Sequence, residues 1–235
     1  MGERREVVRP SPRLPRADGR FAPSPTGPLH VGNLRTALLA WLFARSAGAR
    51  FLVRVEDLDS SRIREGMEKA HLADMWALGL DWDGPVVRQS ERLALYEEAI
   101  ARLDDKGLLY PCYCTRAEIR ASVSAPHGIP AADRYSGTCR ELTARERAEK
   151  EASGRPPALR ARAENIRVSF EDRLLGPYGG EVDDFVVRCN DGAPAYQLAV
   201  VVDDAMQDID EVVRGADLLD STPRQIQLHR VLGLP

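Results

Sequence analysis

The chain has 235 residues, 43% of them hydrophobic and 29% charged, with a formal net charge of -3. That length allows one large domain, or a domain carrying an insertion, around a sizeable core, and no apolar run approaches the roughly eighteen residues of a membrane span. The near-neutral charge gives no basic footprint, so a nucleic-acid partner has to be argued from particular residues.

Residues 1–18, "MGERREVVRPSPRLPRAD", carry arginines diluted by Glu3, Glu6 and Asp18 and contain no apolar signal-peptide core, so they read as a flexible, solvated leader. "GRFAPSP" follows as a short strand closed by prolines. In "NLRTALLAWLFARSAG", Leu34, Ala37, Leu38, Trp41 and Leu42 recur at helical spacing, and Gly48 supplies a stop. "RFLVRVED" reads as a second strand and "EKAHLADMWALG" as a second helix with Leu72, Met75 and Trp76 on one face. The first hundred residues therefore suggest a parallel βαβ unit. "ERLALYEEAIARLDDKG" predicts a third helix burying Leu93, Tyr96, Ile100 and Leu103, with Ser90 as its N-cap and Gly107 past its end.

From Tyr110 to about Asp183 the pattern turns irregular and reads as an insertion, with a capping-box spacing at Thr143 and Glu146. "AYQLAVVVDD" then suggests a buried strand of a parallel sheet, and Asp203 and Asp204 behind it could hold magnesium or cap a helix. "TPRQIQLHRVLG" predicts a helix with Pro223 in its first turn.

Two places in this chain carry chemistry. The stretch "FAPSPTGPLHVGN", residues 21–33, leads from a strand through a glycine-containing loop to a helix start, which offers backbone N–H groups and a positive dipole end to a phosphate. His30 stands where its ring could donate to a phosphate oxygen. In the insertion, Cys112 and Cys114 fall on one side of an extended segment, too close for an unstrained disulfide. Cys139 follows about twenty residues later in "RYSGTC", a paired spacing with a later cysteine that suits tetrahedral zinc. Tyr135, water or His127 could take the fourth position. Cys189 reads as core, and four cysteines without a secretory signal point to a reducing cytoplasm.

The words themselves add a resemblance. "RFAPSPTGPLHVGNLRTAL" resembles the first signature of class I aminoacyl-tRNA synthetases of the glutamate type, with His30, Val31, Gly32 and Asn33 in place of the H-I-G-H tetrad. "RFLVRVEDLD", "GLDWDG", "RQSER", "AYQLAVVVDD" and "VVRGADLLDSTPRQIQLH" follow in that family's order, so the resemblance covers nearly everything from Gly19 to Gly233. It implies an α/β, Rossmann-like catalytic domain with a parallel sheet. Residues 19–109 and 184–235 would be the two halves of the nucleotide-binding fold, and residues 110–183 a zinc-containing insertion. It also implies ATP-dependent activation of L-glutamate, with Mg2+. His30, Gly32 and Asn33 would serve the phosphates, Arg20, Phe21, Ala22, Pro23 and Ser24 would line the glutamate site, Glu56 would meet the α-ammonium, and Tyr196 and Arg214 would complete the pocket. The chemistry agrees, since a glutamate substrate needs an arginine for its side chain and an acid for its amine.

Within the family, Cys112, Cys114, Tyr135 and Cys139, and "RGADLL" where ordinary members read R-G-E-D-H, resemble the shorter branch that attaches glutamate to queuosine in the anticodon of tRNA(Asp). A catalytic fragment of an ordinary glutamyl-tRNA synthetase is one alternative, and a non-catalytic, zinc-stabilised nucleotide- or tRNA-binding module is another. Nothing resembles the family's second signature, K-M-S-K-S. The expectation is a truncated, monomeric, cytoplasmic chain that binds substrates yet turns over poorly.

Overall fold

The structure, a computed structural model, describes residues 17–115, 117–119 and 135–235. Most of the expected leader, residues 1–16, and His127 lie outside the described residues. The chain divides into two compact units. The first comprises residues up to Glu56, Arg62–Val87 and Asp208–Arg214; the second comprises Asp57–Ser61, Arg88–Gln207 and Gly215–Pro235.

In the first unit, β1 (Gly19–Phe21), α1 (Val31–Ser46) and β2 (Phe51–Val55) form the expected βαβ unit. Its strands run parallel with Arg20 beside Leu52 and Phe21 beside Val53. Glu211 bridges Gly19 in the parallel sense, which lays the segment 208–214 along the other edge of β1. The chain reaches β3 (Val87–Arg88) at the end of this unit, after α2 (Met67–Ala77).

The face that α1 buries is not the one its large residues suggest. Ala37, Ala40 and Ala44 are buried, while Leu38 and Leu42 are 43% and 45% exposed. Close approach explains the choice: a Cβ on Gly19 would lie 3.5 Å from the Cβ of Ala44, leaving no room for leucine between helix and strand. The helix stops as expected, with Gly48 at φ 66° and the Ala49 N–H returned to the Ala44 carbonyl at 3.0 Å. Helix α2 buries His71 and Met75 and leaves Trp76 71% exposed, against the expected apolar face of Leu72, Met75 and Trp76.

In the second unit the stretch read as irregular is built of regular elements. Strands β4 (Leu109–Cys112), β5 (Ala158–Ala161) and β8 (Phe185–Arg188) form an antiparallel sheet in the order β4-β5-β8. β6 (Ile166–Asp172) and β7 (Gly176–Val182) form a hairpin. Helix α4 (Ala144–Glu151) carries the anticipated capping box of Thr143 and Glu146. α3 (Leu93–Asp105) buries Tyr96, Ile100 and Leu103 as anticipated, but Leu93, expected on the same face, opens the helix and is 48% exposed, and the expected N-cap, Ser90, lies in a preceding 3-10 turn and donates to Asp57 through its amide (2.8 Å) and hydroxyl (2.6 Å).

"AYQLAVVVDD" is not a strand. Tyr196–Met206 form helix α5, buried continuously from Leu198 to Ala205. An apolar run without periodicity cannot separate a buried strand from a buried helix. Inside α5, Asp203 accepts hydrogen bonds from Gln89 (2.8 Å), Arg92 (2.6 Å) and Tyr96 (2.8 Å), so it anchors this core. Helix α6 (Thr222–Leu232) has its proline in the first turn and packs Leu228 and Leu232 into the same cluster. No helix among the described residues is long and apolar enough to cross a membrane.

Candidate functional site

The loop from β1 to α1 is held by its carbonyls, as a segment rich in proline must be, since proline has no N–H to give. Pro23 accepts from the Glu56 amide at 3.0 Å, Pro25 from the Arg64 amide at 3.0 Å, and Gly27 from the buried His71 Nε2 at 2.7 Å. Three anchors from β2, the following loop and α2 thus fix one route from strand to helix. His71, which nothing in the sequence singles out, is one of them.

The helix start is a reciprocal cap. The Asn33 amide donates to His30 Nδ1 at 3.3 Å, and the His30 amide donates to Asn33 Oδ1 at 3.1 Å. Asn33 therefore satisfies a backbone donor, and it also fixes the histidine: with Nδ1 accepting, the proton of the neutral ring sits on Nε2. Gly32 is required by the same geometry. A Cβ there would stand 2.8 Å from His30 Cε1 and 2.9 Å from Nδ1. His30 and Gly32 are exposed and Val31 is 82% exposed, so the start of α1 is open.

Behind the loop, the β1-β2 sheet has two unlike faces. Phe21, Phe51 and Val53 pack with the alanines of α1 and with Met75 and Leu80. The intervening residues, Arg20, Leu52, Arg54 and Glu56, point the other way. Arg20 is 4% exposed and Arg54 is fully buried, its Nη2 3.5 Å from Glu56 Oε1. Val213, next to Arg214, packs into the apolar cluster.

Of the expected glutamate-site residues, Arg20, Ala22, Pro23, Ser24, Glu56 and Arg214 all belong to the first unit. Phe21 does too, but its side chain is core, leaving only its backbone to offer a ligand. Tyr196 opens α5 in the second unit and is 38% exposed. Arg54 went unnoticed in the sequence, although the alternation in "VRVE" could have placed it beside Glu56.

The cysteines of the insertion converge. The sulfurs of Cys112, Cys114 and Cys139 all lie within 4.8 Å of one another, with Cys114 and Cys139 at 3.5 Å. The Tyr135 hydroxyl sits among them, 3.4 Å from Cys112 Sγ and 3.9 Å from Cys114 Sγ, and accepts the Cys139 amide at 2.8 Å. The Arg160 guanidinium lies 3.7 Å above the Tyr135 ring. Burial pushes the Cys114 thiol up to about 12. At Cys112 the same burial effect is outweighed by hydrogen bonds from Tyr135 and Arg160, and the thiol falls below its ordinary range. Burial and the bond to Cys112 push the Tyr135 phenol above its ordinary range. Three sulfurs and one oxygen at these separations form a donor set that fits a zinc ion. The layer behind is buried: Asp183 accepts the Tyr135 amide at 2.8 Å and Asp184 accepts the Tyr110 hydroxyl at 2.6 Å.

Residues 17–235 match the family described as tRNA synthetases class I (E and Q), catalytic domain. A glutamyl-Q tRNA(Asp) synthetase of Nocardia farcinica is 62% identical over 217 residues, covering 92% of this chain and 68% of that protein. One from Symbiobacterium thermophilum is 53% identical over 229 residues, covering 92% and 71%. Among solved structures, a glutamate tRNA ligase from Elizabethkingia meningosepticum, crystallised in complex with its amino acid, is similar with a TM-score of 0.79 at 30% identity. The likeness covers 93% of this chain and 47% of that one.

Proposed function

The chain belongs to the catalytic-domain family of class I tRNA synthetases for glutamate and glutamine, in its glutamyl-Q tRNA(Asp) synthetase branch, and we propose that it activates L-glutamate with ATP and transfers the glutamyl group to queuosine in the anticodon of tRNA(Asp). In the first step an oxygen of the substrate α-carboxylate attacks the α-phosphorus of ATP, the bond to the β-phosphate breaks, and pyrophosphate leaves with its magnesium. In the second the glutamyl group passes from AMP to the modified base.

The observation that carries this reading is the open, reciprocally capped start of α1 beside a buried polar layer. His30, held by Asn33 through Nδ1, keeps Nε2–H for a phosphate oxygen. The amide N–H groups and dipole of the helix start add to the attraction, and donors preset in this way stabilise charge that develops on the transferring phosphate. Arg20, helped by Arg214, would receive the side-chain carboxylate. Glu56, its amide tied to Pro23 at 3.0 Å, would receive the α-ammonium.

Cys112, Cys114, Cys139 and Tyr135 would hold a structural zinc, which would supply a crosslink between the end of β4 and the segment 135–139. A tRNA substrate places the reaction in the cytoplasm, where the four free thiols stay reduced. The chain is expected to work as a monomer.

Exchange of pyrophosphate into ATP, measured with glutamate and no tRNA, tests the proposal. The expected result is exchange by this chain, lost in His30→Ala, whose zinc content stays at the wild-type level. Exchange that needs tRNA would move the chain to the ordinary glutamyl-tRNA synthetases. Failure both to exchange and to bind a non-hydrolysable glutamyl-adenylate analogue would overturn the proposal.

A further inference from the structure

Arg54 is fully buried in the middle of β2. Its strand neighbours Phe51 and Val53 pack in the apolar cluster on one face, and Arg54 shares the opposite face with Glu56, two residues on. A guanidinium taken wholly out of water is unfavourable unless it meets an opposite charge. The carboxylate of Glu56, itself only 12% exposed at the side chain, stands 3.5 Å away. The Glu56 backbone is already fixed by the Pro23 carbonyl, so Arg54 restrains the other end of the same residue.

We propose that Arg54 is a positioning residue for amino-acid recognition: it sets the Glu56 carboxylate to receive the α-ammonium of the substrate, and so carries part of the preference for an amino acid over a bare dicarboxylate. This rests on the pocket given under Proposed function. Where Arg54 acts through Glu56, its effect follows the ammonium group of the ligand. An arginine that merely props the sheet would affect every ligand of the pocket alike.

Equilibrium dialysis of the full chain with radiolabelled L-glutamate and with glutarate, which lacks the ammonium, separates the two. The wild-type chain should bind glutamate the more tightly. In Arg54→Gln, glutamate affinity should fall roughly ten- to a hundred-fold, while glutarate affinity stays within about two-fold. Arg54→Lys, which keeps the charge, should recover part of the preference. In a Glu56→Gln background, Arg54→Gln should remove no more of it. Equal losses for both ligands, or an unchanged preference, would overturn the inference. Binding of neither ligand by the wild type would overturn the pocket itself. Should Arg54→Gln not fold, Glu56→Gln tests the pair from its other member: it removes the carboxylate that stands 3.5 Å from the buried guanidinium, and a thermal midpoint equal to that of the wild type would refute the coupling.

Discussion

A glycine can be indispensable for function and nearly dispensable for stability, and Gly32 and Gly27 separate the two cases. At Gly32 an added Cβ meets the His30 ring at 2.8 Å, whereas at Gly27 it meets nothing within 4 Å. A ring on a rotatable side chain can swing away, so Gly32→Ala should cost about 1 kcal/mol, the worth of the lost cap. The swung ring, however, no longer aims Nε2. Pyrophosphate exchange should drop at least about a hundred-fold, the size of effect seen on removing one preset donor, while Gly27→Ala stays near wild type in both assays. His30, Gly32, Arg20 and Glu56 were legible because they stand in recognisable words. Arg54 and His71 were not, because a lone arginine in a strand and a lone histidine in a helix carry no motif of their own; only the fold turns one beneath Glu56 and the other onto the Gly27 carbonyl.

Among the elements, α5 shows where local preference yields to burial. Its valine run favours a strand on propensity, but a helix buried from Leu198 to Ala205 serves the same apolar composition, and only the helix brings Asp203 to Gln89, Arg92 and Tyr96. Asp203→Ala would leave Arg92 without its buried acid and should destabilise the chain by about 3–5 kcal/mol in urea titrations, with exchange activity retained in the folded fraction. The start of β2 offers a pH-dependent counterpart. Asp83 accepts the Phe51 amide at 2.8 Å and Arg45 Nη1 at 2.6 Å, and these partners hold its carboxyl below the ordinary value of 3.8. A carboxyl lowered in the folded state stabilises above its unfolded value and loses that contribution as pH falls through the folded one. The melting difference between wild type and Asp83→Asn should accordingly be full at neutral pH and close at acid pH, below about 4. β1, α1, β2, α2 and α3 were legible as elements because each has its own period or stop signal, whereas the buried faces of α1 and α2 and the two-residue β3 were not. The insertion was not, because β4, β5 and β8 pair across stretches of chain far too long for local sequence to register.

At the scale of the whole chain, the two chemistries fall on different compact units. His30, Arg20, Glu56 and Arg214 belong to the first, and Cys112, Cys114, Tyr135 and Cys139 to the second. A metal that binds preformed ligands only in the folded state adds its binding free energy to folding. Its removal should therefore register in the stability of the unit that holds it. Chelation is expected to release one zinc per chain and lower the thermal midpoint by at least about 5 °C, since one kcal/mol moves a chain of this size by about 2–4 °C. Cys114→Ser should do the same without chelator. Glutamate binding, carried chiefly by residues of the first unit, should persist in the metal-free chain at temperatures below its transition. His30→Ala inverts the pattern, with full zinc, no exchange and a midpoint lowered only by the lost helix cap, about 2–4 °C. Loss of glutamate affinity in step with zinc, at a temperature where the metal-free chain is still folded, would mean that the metal serves the substrate directly and that the functions assigned to the two units are one.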